Sequence, residues 1–275
     1  MTRAAKPLVL TLRERPDQRL DMSPLVPDRL ARMSAAEIAR IALQTMRTPV
    51  TVADVFRLRM GEVSQIRIEG SCNRLDQIGQ AMTVGEIVVE GDVGAQAGRL
   101  MRGGSLMVRS NAGPWTGSAM TGGKIEILGS AGDHLGGPFA GETVGMRGGV
   151  IVVRGTAGAR IADRMRRGTI IVEGECGAYA GSRMIAGTVI LLRRAGPLPG
   201  YLMKRGTIVL GKDCEAMSPT FIDCGMHALV AMRLLADFVG PHSGRAAACL
   251  AHPLRRYAGD MAVLGKGEIF IGNRS

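Results

Sequence analysis

Seven methionines, Met82, Met101, Met120, Met146, Met165, Met184 and Met203, follow one another at intervals of 19, 19, 26, 19, 19 and 19 residues. A chemical position that returns at a fixed short period marks a repeat architecture, and few folds accept one. The third residue after each methionine is glycine: Gly85, Gly104, Gly123, Gly149, Gly168, Gly187 and Gly206. The fifth is aliphatic (Ile87, Leu106, Ile125, Ile151, Ile170, Val189, Ile208), and so is the seventh (Val89, Val108, Ile127, Val153, Val172, Leu191, Leu210). Apolar residues two apart over so short a run predict a strand.

A unit of this size cannot bury an apolar face alone, whereas stacked copies can. The repeat therefore predicts a mostly β protein built on a right-handed parallel β-helix of 19-residue coils. Glycines fall where the chain must turn a corner, as in Gly103-Gly104, Gly122-Gly123 and Gly148-Gly149. The 26-residue interval contains Gly136, Gly137, Pro138, Phe139, Ala140 and Gly141 and reads as a seven-residue loop inserted into one coil. At a rung spacing of about 4.8 Å, the six intervals predict a rod roughly 30 Å long. The methionine column is open to two readings, a soft-metal ladder or side chains stacked inside a tube. Met fills irregular cores and every copy is flanked by aliphatic positions, which favours the tube.

The division is a cap with a short helix and strands over 1–81, the β-helix over 82–212, and a helical segment with a final strand over 213–275. In the cap, Val9 to Leu12, Val55 to Leu58 and Ile66 to Ile68 read as strands, the last forming a degenerate first coil. Ser34 and Glu37 form a capping-box pattern that opens a helix through Ile38, Ile41, Ala42 and Thr45. Beyond the coils, Pro219 to Gly240 reads as one helix carrying Phe221, Leu229, Met232, Leu235, Ala236 and Val239. Arg245 to Leu250 reads as a second helix and Gly267 to Ile271 as the last strand. Open β-helix ends expose unpaired edges, so these pieces are expected to cover them.

Aromatics make up only 3% of the chain, which suits a core of Ile, Val and Met. No run of eighteen apolar residues predicts a membrane span. Arg3 and Lys6 precede an apolar run too short for a signal peptide, and a cytoplasmic location is expected. Five scattered cysteines without a CxxC argue against disulfides, and Cys214, Cys224 and His227 lack a fourth ligand at zinc spacing.

The net charge of +11 is unevenly placed. Residues 147 to 212 hold 12 basic and 3 acidic side chains, so most of the excess lies on the last four coils. Arg147, Arg166 and Lys204 follow their methionines directly, Arg167 and Arg205 come one residue later, and Arg164 and Arg183 come just before theirs. Stacking would gather all seven into one stripe suited to a polyanion, to an acidic partner protein or simply to solvent. Nucleic acid is a poor match, because this region offers only Tyr179 and Tyr201 for stacking. None of His134, His227, His242 and His252 stands in a nucleophile or metal pattern. His134 is placed in the insertion loop, where with Asp133 it reads as a surface pair.

The segment GQAMTVGEIVVEGDVGAQAGRLMRGGSLMVRSNAGPWTGSAMTGGKIEILG is similar to the glycine-patterned β-helix of glutamate synthase large subunits and of the C subunit of formylmethanofuran dehydrogenases. The flanks LDMSPLVPDRLARMSAAEIARIAL, SPTFIDCGMHALVAMRLLADF, RRYAGD and GKGEIFIG resemble this C-subunit family, in particular its counterpart in the bacterial formyltransferase/hydrolase complex. That resemblance implies a non-catalytic subunit, with no cofactor held by this chain. In such a complex formyl passes from tetrahydromethanopterin to a methanofuran-type carrier and is released as formate. Hydrolase and formyltransferase subunits would be the partners, with the metal in another subunit. The carrier's polyglutamate tail is a candidate ligand for the stripe. A glutamate-synthase-type domain and the C subunit of a molybdenum or tungsten formylmethanofuran dehydrogenase are the alternatives.

Overall fold

The computed structural model describes residues 6–45 and 47–272; Arg3 of the N-terminal reading lies outside them. The chain opens with β1 (Pro7–Leu12), β2 (Leu20–Asp21), α1 (Pro27–Leu30), α2 (Ala35–Ala39), β3 (Ala42–Leu43), β4 (Val50–Thr51), α3 (Val52–Val55), β5 (Phe56–Arg59), β6 (Glu62–Ser71) and β7 (Leu75–Asp76). The repeats supply β8 (Glu86–Gly91), β9 (Ser105–Val108), β10 (Lys124–Ile127), β11 (Arg147–Val153), β12 (Arg167–Val172), β13 (Thr188–Leu191) and β14 (Arg205–Leu210). Then come β15 (Ile222–His227), α4 (Val230–Val239), α5 (Gly244–Leu250), β16 (Leu254–Gly259) and β17 (Lys266–Ile271).

One 13-stranded sheet runs β15-β16-β17-β14-β13-β12-β11-β10-β9-β8-β6-β1-β5, and from β17 to β1 every pairing is parallel. The register lines up one inward column, Ile66, Ile87, Leu106, Ile125, Ile151, Ile170, Val189, Ile208 and Ile269. A second wall consists of single parallel bridges, Val93 to Ala112, Ala131, Ala157, Cys176, Ala195 and Cys214. All seven ladder methionines are fully buried inside the winding. This is a β-helix-like architecture, and the rod extends past the methionine repeats through β6 at one end and β17 at the other.

The methionine and glycine columns turn out to be one device. A Cβ on Gly123 would lie 2.8 Å from Cε of Met101, one on Gly149 2.6 Å from Cε of Met120, and one on Gly168 2.8 Å from Cε of Met146. Each thioether methyl thus fills the space that a side chain at the glycine of the next coil would occupy. Those glycines also sit at positive φ (+86°, +89° and +100°), where L side chains are strained.

The third wall is made of turns with two columns of left-handed backbone, and these are not glycine. Trp115, His134, Arg160 and Tyr179 form part of one, at φ between 56° and 61°; Leu100, Ala119, Arg164 and Arg183 form part of the other, at 50° to 58°. A left-handed L residue costs about 1–2 kcal/mol. The compensation is visible: Trp115 N donates to Asp133 O, His134 N to Ala159 O, Arg164 N to Ser182 O and Arg183 N to Tyr201 O, each in the next coil. The twist turns a backbone donor along the rod axis, where a net hydrogen bond contributes about 0.5–1.5 kcal/mol.

Several sequence expectations need correction. The capping box at Ser34 forms, but α2 ends at Ala39, because Ala42–Leu43 pairs with Val50–Thr51 in a short antiparallel hairpin. So short a helix has little strength of its own against that pairing. Val55 closes α3, so the strand there starts at Phe56. The apolar segment from Pro219 is not one helix: Ile222–His227 is a strand paired with β16, and α4 begins only at Val230. Gly225, at φ +83°, breaks the regular register of that strand. Finally, the helices do not plug the end of the rod. Met232, Val239, Ala246 and Leu250 pack on Val152, Ile171, Ile190, Val209 and Phe270, the outward residues of the last coils.

An ion-pair network anchors this helical layer. Arg154 bridges Glu126 at 2.5 Å and Glu173 at 2.6 Å and donates to the His242 carbonyl at 2.9 Å. Glu173 also accepts from Ser243 Oγ at 2.7 Å. Glu126 loses solvation here, yet hydrogen bonds from Lys124 and Arg154 outweigh that loss and hold its carboxyl below the usual range. Burial, reinforced by Lys124, pushes the His242 imidazole down.

Candidate functional site

The edge where each coil enters the large sheet is set by the residue after its ladder methionine. Arg147, Arg166, Arg167, Lys204 and Arg205 are brought to this edge and are all exposed. Arg147 lies opposite Arg167 in the ladder, and Arg205 lies opposite Lys266. Among the described residues none of these six cations is within 4 Å of a carboxylate. The coil between them carries Ile185 and Ala186 instead. With Leu264 these form the apolar part of a depression of about 350 Å³ flanked by Arg166, Arg167, Lys204 and Arg205. Two coils separate the flanking pairs, which corresponds to roughly 10 Å. The arrangement suits an anionic chain with an apolar stem, and its attraction is salt-sensitive because the charges are solvated.

The stripe differs from the sequence reading in membership. Arg183 turns away and pairs with buried Asp163 at 3.0 Å, which also accepts from Ser182 Oγ. Arg164 turns the same way and donates to the Glu142 carbonyl at 3.3 Å. Both occupy the left-handed column just before a methionine, where the reversed backbone aims the side chain at the turn wall. Two cations were missed. Exposed Arg102 follows Met101 directly, and Lys266 precedes the Gly267 strand as Arg205 precedes the Gly206 strand. Reading KGEIFI as another copy of RGTIVL would have found Lys266.

The insertion loop folds back on the turn wall. Phe139 meets Trp115 edge-on, with centroids 5.5 Å apart, the Arg99 guanidinium lies 5.4 Å over the Phe139 ring, and Arg99 pairs with Glu142. His134 is not in this loop but one coil beyond Trp115 in the left-handed column, its ring stacked on the indole with centroids 5.6 Å apart. Asp133 is not its partner; that carboxylate accepts from Ala159 N at 2.7 Å. Cys214 ends the bridge column, while Cys224 and His227 lie on β15, where the imidazole Nε2 is 2.9 Å from the Cys224 carbonyl. No group of three or more His, Cys, Asp or Glu among the described residues is placed to hold a metal, and no described helix is long and apolar enough to cross a membrane.

No family model matches the chain. An 86-residue stretch is 44% identical to the C subunit of the formyltransferase/hydrolase complex Fhc of Methylorubrum extorquens, covering 30% of this chain and 32% of that protein. An 89-residue stretch is 33% identical to the C subunit of the tungsten-containing formylmethanofuran dehydrogenase 2 of Methanococcus maripaludis, covering 32% and 33%. These matched stretches span about a third of the curated relatives. The structural likeness is wider. A chain in the X-ray crystal structure of the formyltransferase/hydrolase complex (FhcABCD) from Methylorubrum extorquens in complex with methylofuran superposes with a TM-score of 0.91 at 41% identity, covering 97% of this chain and 100% of that one. Likeness at that level over both whole chains, with the sequence matches to named C subunits, establishes that the protein belongs to the C-subunit family of formylmethanofuran dehydrogenases and formyltransferase/hydrolase complexes.

Proposed function

We propose that the protein is the non-catalytic scaffold subunit of a formyltransferase/hydrolase complex. The complex would transfer formyl from tetrahydromethanopterin to a methanofuran-type carrier and release formate. The full-length likeness to a chain of such a complex carries this reading. Hydrolase and formyltransferase subunits are its partners, the metal sits in another subunit, and the complex works in the cytoplasm. Residues 1–81 are the N-terminal cap, which also brings β6 to the end of the rod, 82–212 are the methionine coils, and 213–275 supply the helical layer and last strand. The coils are 19 residues long and wind right-handedly. The ladder offset between Ile87 and Leu106 supports that length, and the strong preference of parallel crossovers supports the hand. A rigid rod suits a pathway in which a tethered formyl group must reach two fixed sites.

Within this reading the exposed stripe binds the carrier's anionic tail, through Arg147, Arg166, Arg167, Lys204 and Arg205. Arg164 and Arg183, already committed to Glu142 and Asp163, position the turn wall behind it. The test is to reverse Arg166, Arg167 and Arg205 to Glu and measure carrier affinity in the assembled complex against salt. Weaker binding with a shallower salt dependence is expected; unchanged affinity and slope would remove the stripe from carrier binding. The tungsten-enzyme relative favours one second reading, the C subunit of a redox formylmethanofuran dehydrogenase. Identifying the proteins that co-purify with the native chain separates the two.

A further inference from the structure

Helix α4 is apolar on two sides. Met232 and Val239 face the outer sheet surface and are buried, whereas Val230, Leu234 and Phe238 stand 69%, 65% and 51% exposed. Their spacing of four residues makes them one continuous stripe along the helix. A helix apolar on both faces is normally covered on both. The charges beside the stripe say what covers it. Arg233 and Asp237 lie along the same flank, both exposed, and neither makes an ion pair or hydrogen bond among the described residues.

We infer that α4 docks against α4 of a second copy of this chain, antiparallel about a two-fold axis passing between Leu234 and Leu235, where the rise of about 1.5 Å per residue brings Arg233 nearer in level to Asp237 of the other copy than to its Arg233. In an antiparallel helix pair like flanks meet, so Arg233 of one copy faces Asp237 of the other, and the reverse contact follows by symmetry. The same axis sets Leu234 against Leu234 and small Val230 against large Phe238. The stripe is therefore complementary to itself in both charge and volume. The neighbouring sheet edge takes no part. Gly225 kinks β15, and its Asp223 is tied to Arg255 at 2.9 Å, devices that discourage strand addition. The ten-residue helix is about 15 Å long. A contact of that size falls short of the roughly 1,200 Å² of a stable interface, so pairing is concentration-dependent.

Sedimentation equilibrium of the full chain, and of the complex that contains it, tests this. Concentration-dependent pairing through two copies is expected, and Leu234→Ser should weaken it at least tenfold. Arg233→Asp and Asp237→Arg should each weaken self-association about tenfold, because like charges then face each other; circular dichroism of these exposed-site variants should be unchanged. An equimolar mixture of the two single variants should recover wild-type pairing, as should the double variant alone. No heterologous partner would produce that recovery. A chain that stays monomeric at all concentrations, a mixture that fails to recover, or single variants that shed a different subunit instead would overturn the inference.

Discussion

At the residue scale the working unit is the pair formed by a ladder methionine and the glycine that follows in the next coil. Met120 and Gly149 illustrate it: the glycine is at φ +89°, and an added Cβ would meet both Met120 Cε at 2.6 Å and Gly123 O at 2.7 Å. Gly149→Ala should cost about 2–4 kcal/mol, from left-handed strain together with overpacking. Met120→Ala should cost about 2–5 kcal/mol by opening a cavity. Because the two share one volume, the double variant should fall short of the sum by about 1 kcal/mol in urea unfolding. Strict additivity would show that the methyl and the glycine are not coupled. The glycine half of this unit was legible from spacing alone. The left-handed Trp115, Arg160 and Tyr179 were not, since bulky side chains argue against positive φ and only the hydrogen bond to the next coil offsets it.

At the element scale the helical layer depends on charge as well as apolar contact. In the folded protein both the Glu126 carboxyl and the His242 imidazole are held below their ordinary values of 4.5 and 6.5. The unfolded state therefore binds more protons, and stability rises with pH. Docking of α4 and α5 is at full strength above about pH 6.5 and weakens on acidification, first through His242 and then, below the ordinary carboxylate range, through Glu126. Amide exchange of α4 and α5 should thus accelerate as pH falls below 6.5, relative to the coils, after correction for intrinsic rates. His242→Asn should remove the upper part of that dependence. A flat profile would mean that the network does not hold the layer. The layer had a sequence signal in the outward position between the two aliphatic columns, which after the charged Glu126 is branched aliphatic in every coil, at Val152, Ile171, Ile190 and Val209. An apolar outer face is a face awaiting cover.

For the molecule as a whole, the insertion is an addition to a rod that does not need it for winding. Removing residues 138–144 joins Gly137 to Gly145 and restores a coil of the common length. The shortened chain should fold with its β signal intact and lose about 1–3 kcal/mol through the Phe139 contact with Trp115 and the Arg99 pair with Glu142. Trp115 is the chain's one tryptophan, so its emission should shift to the red as cover is lost. A chain that fails to fold would make the loop part of the winding itself.

The parallel stack, its inward columns and the edge on which the cations gather could all be read along the chain before any coordinate was known. Those features follow from period, and a period survives in one dimension. Folding in three dimensions was needed to learn that Arg164 and Arg183 leave the stripe, that His134 stacks on Trp115, and that α4 and α5 lie along the side of the rod. These depend on contacts between different coils, or between a coil and a distant segment. There, backbone handedness and the partner across the gap set direction, and neither is written in the spacing of residues along the chain.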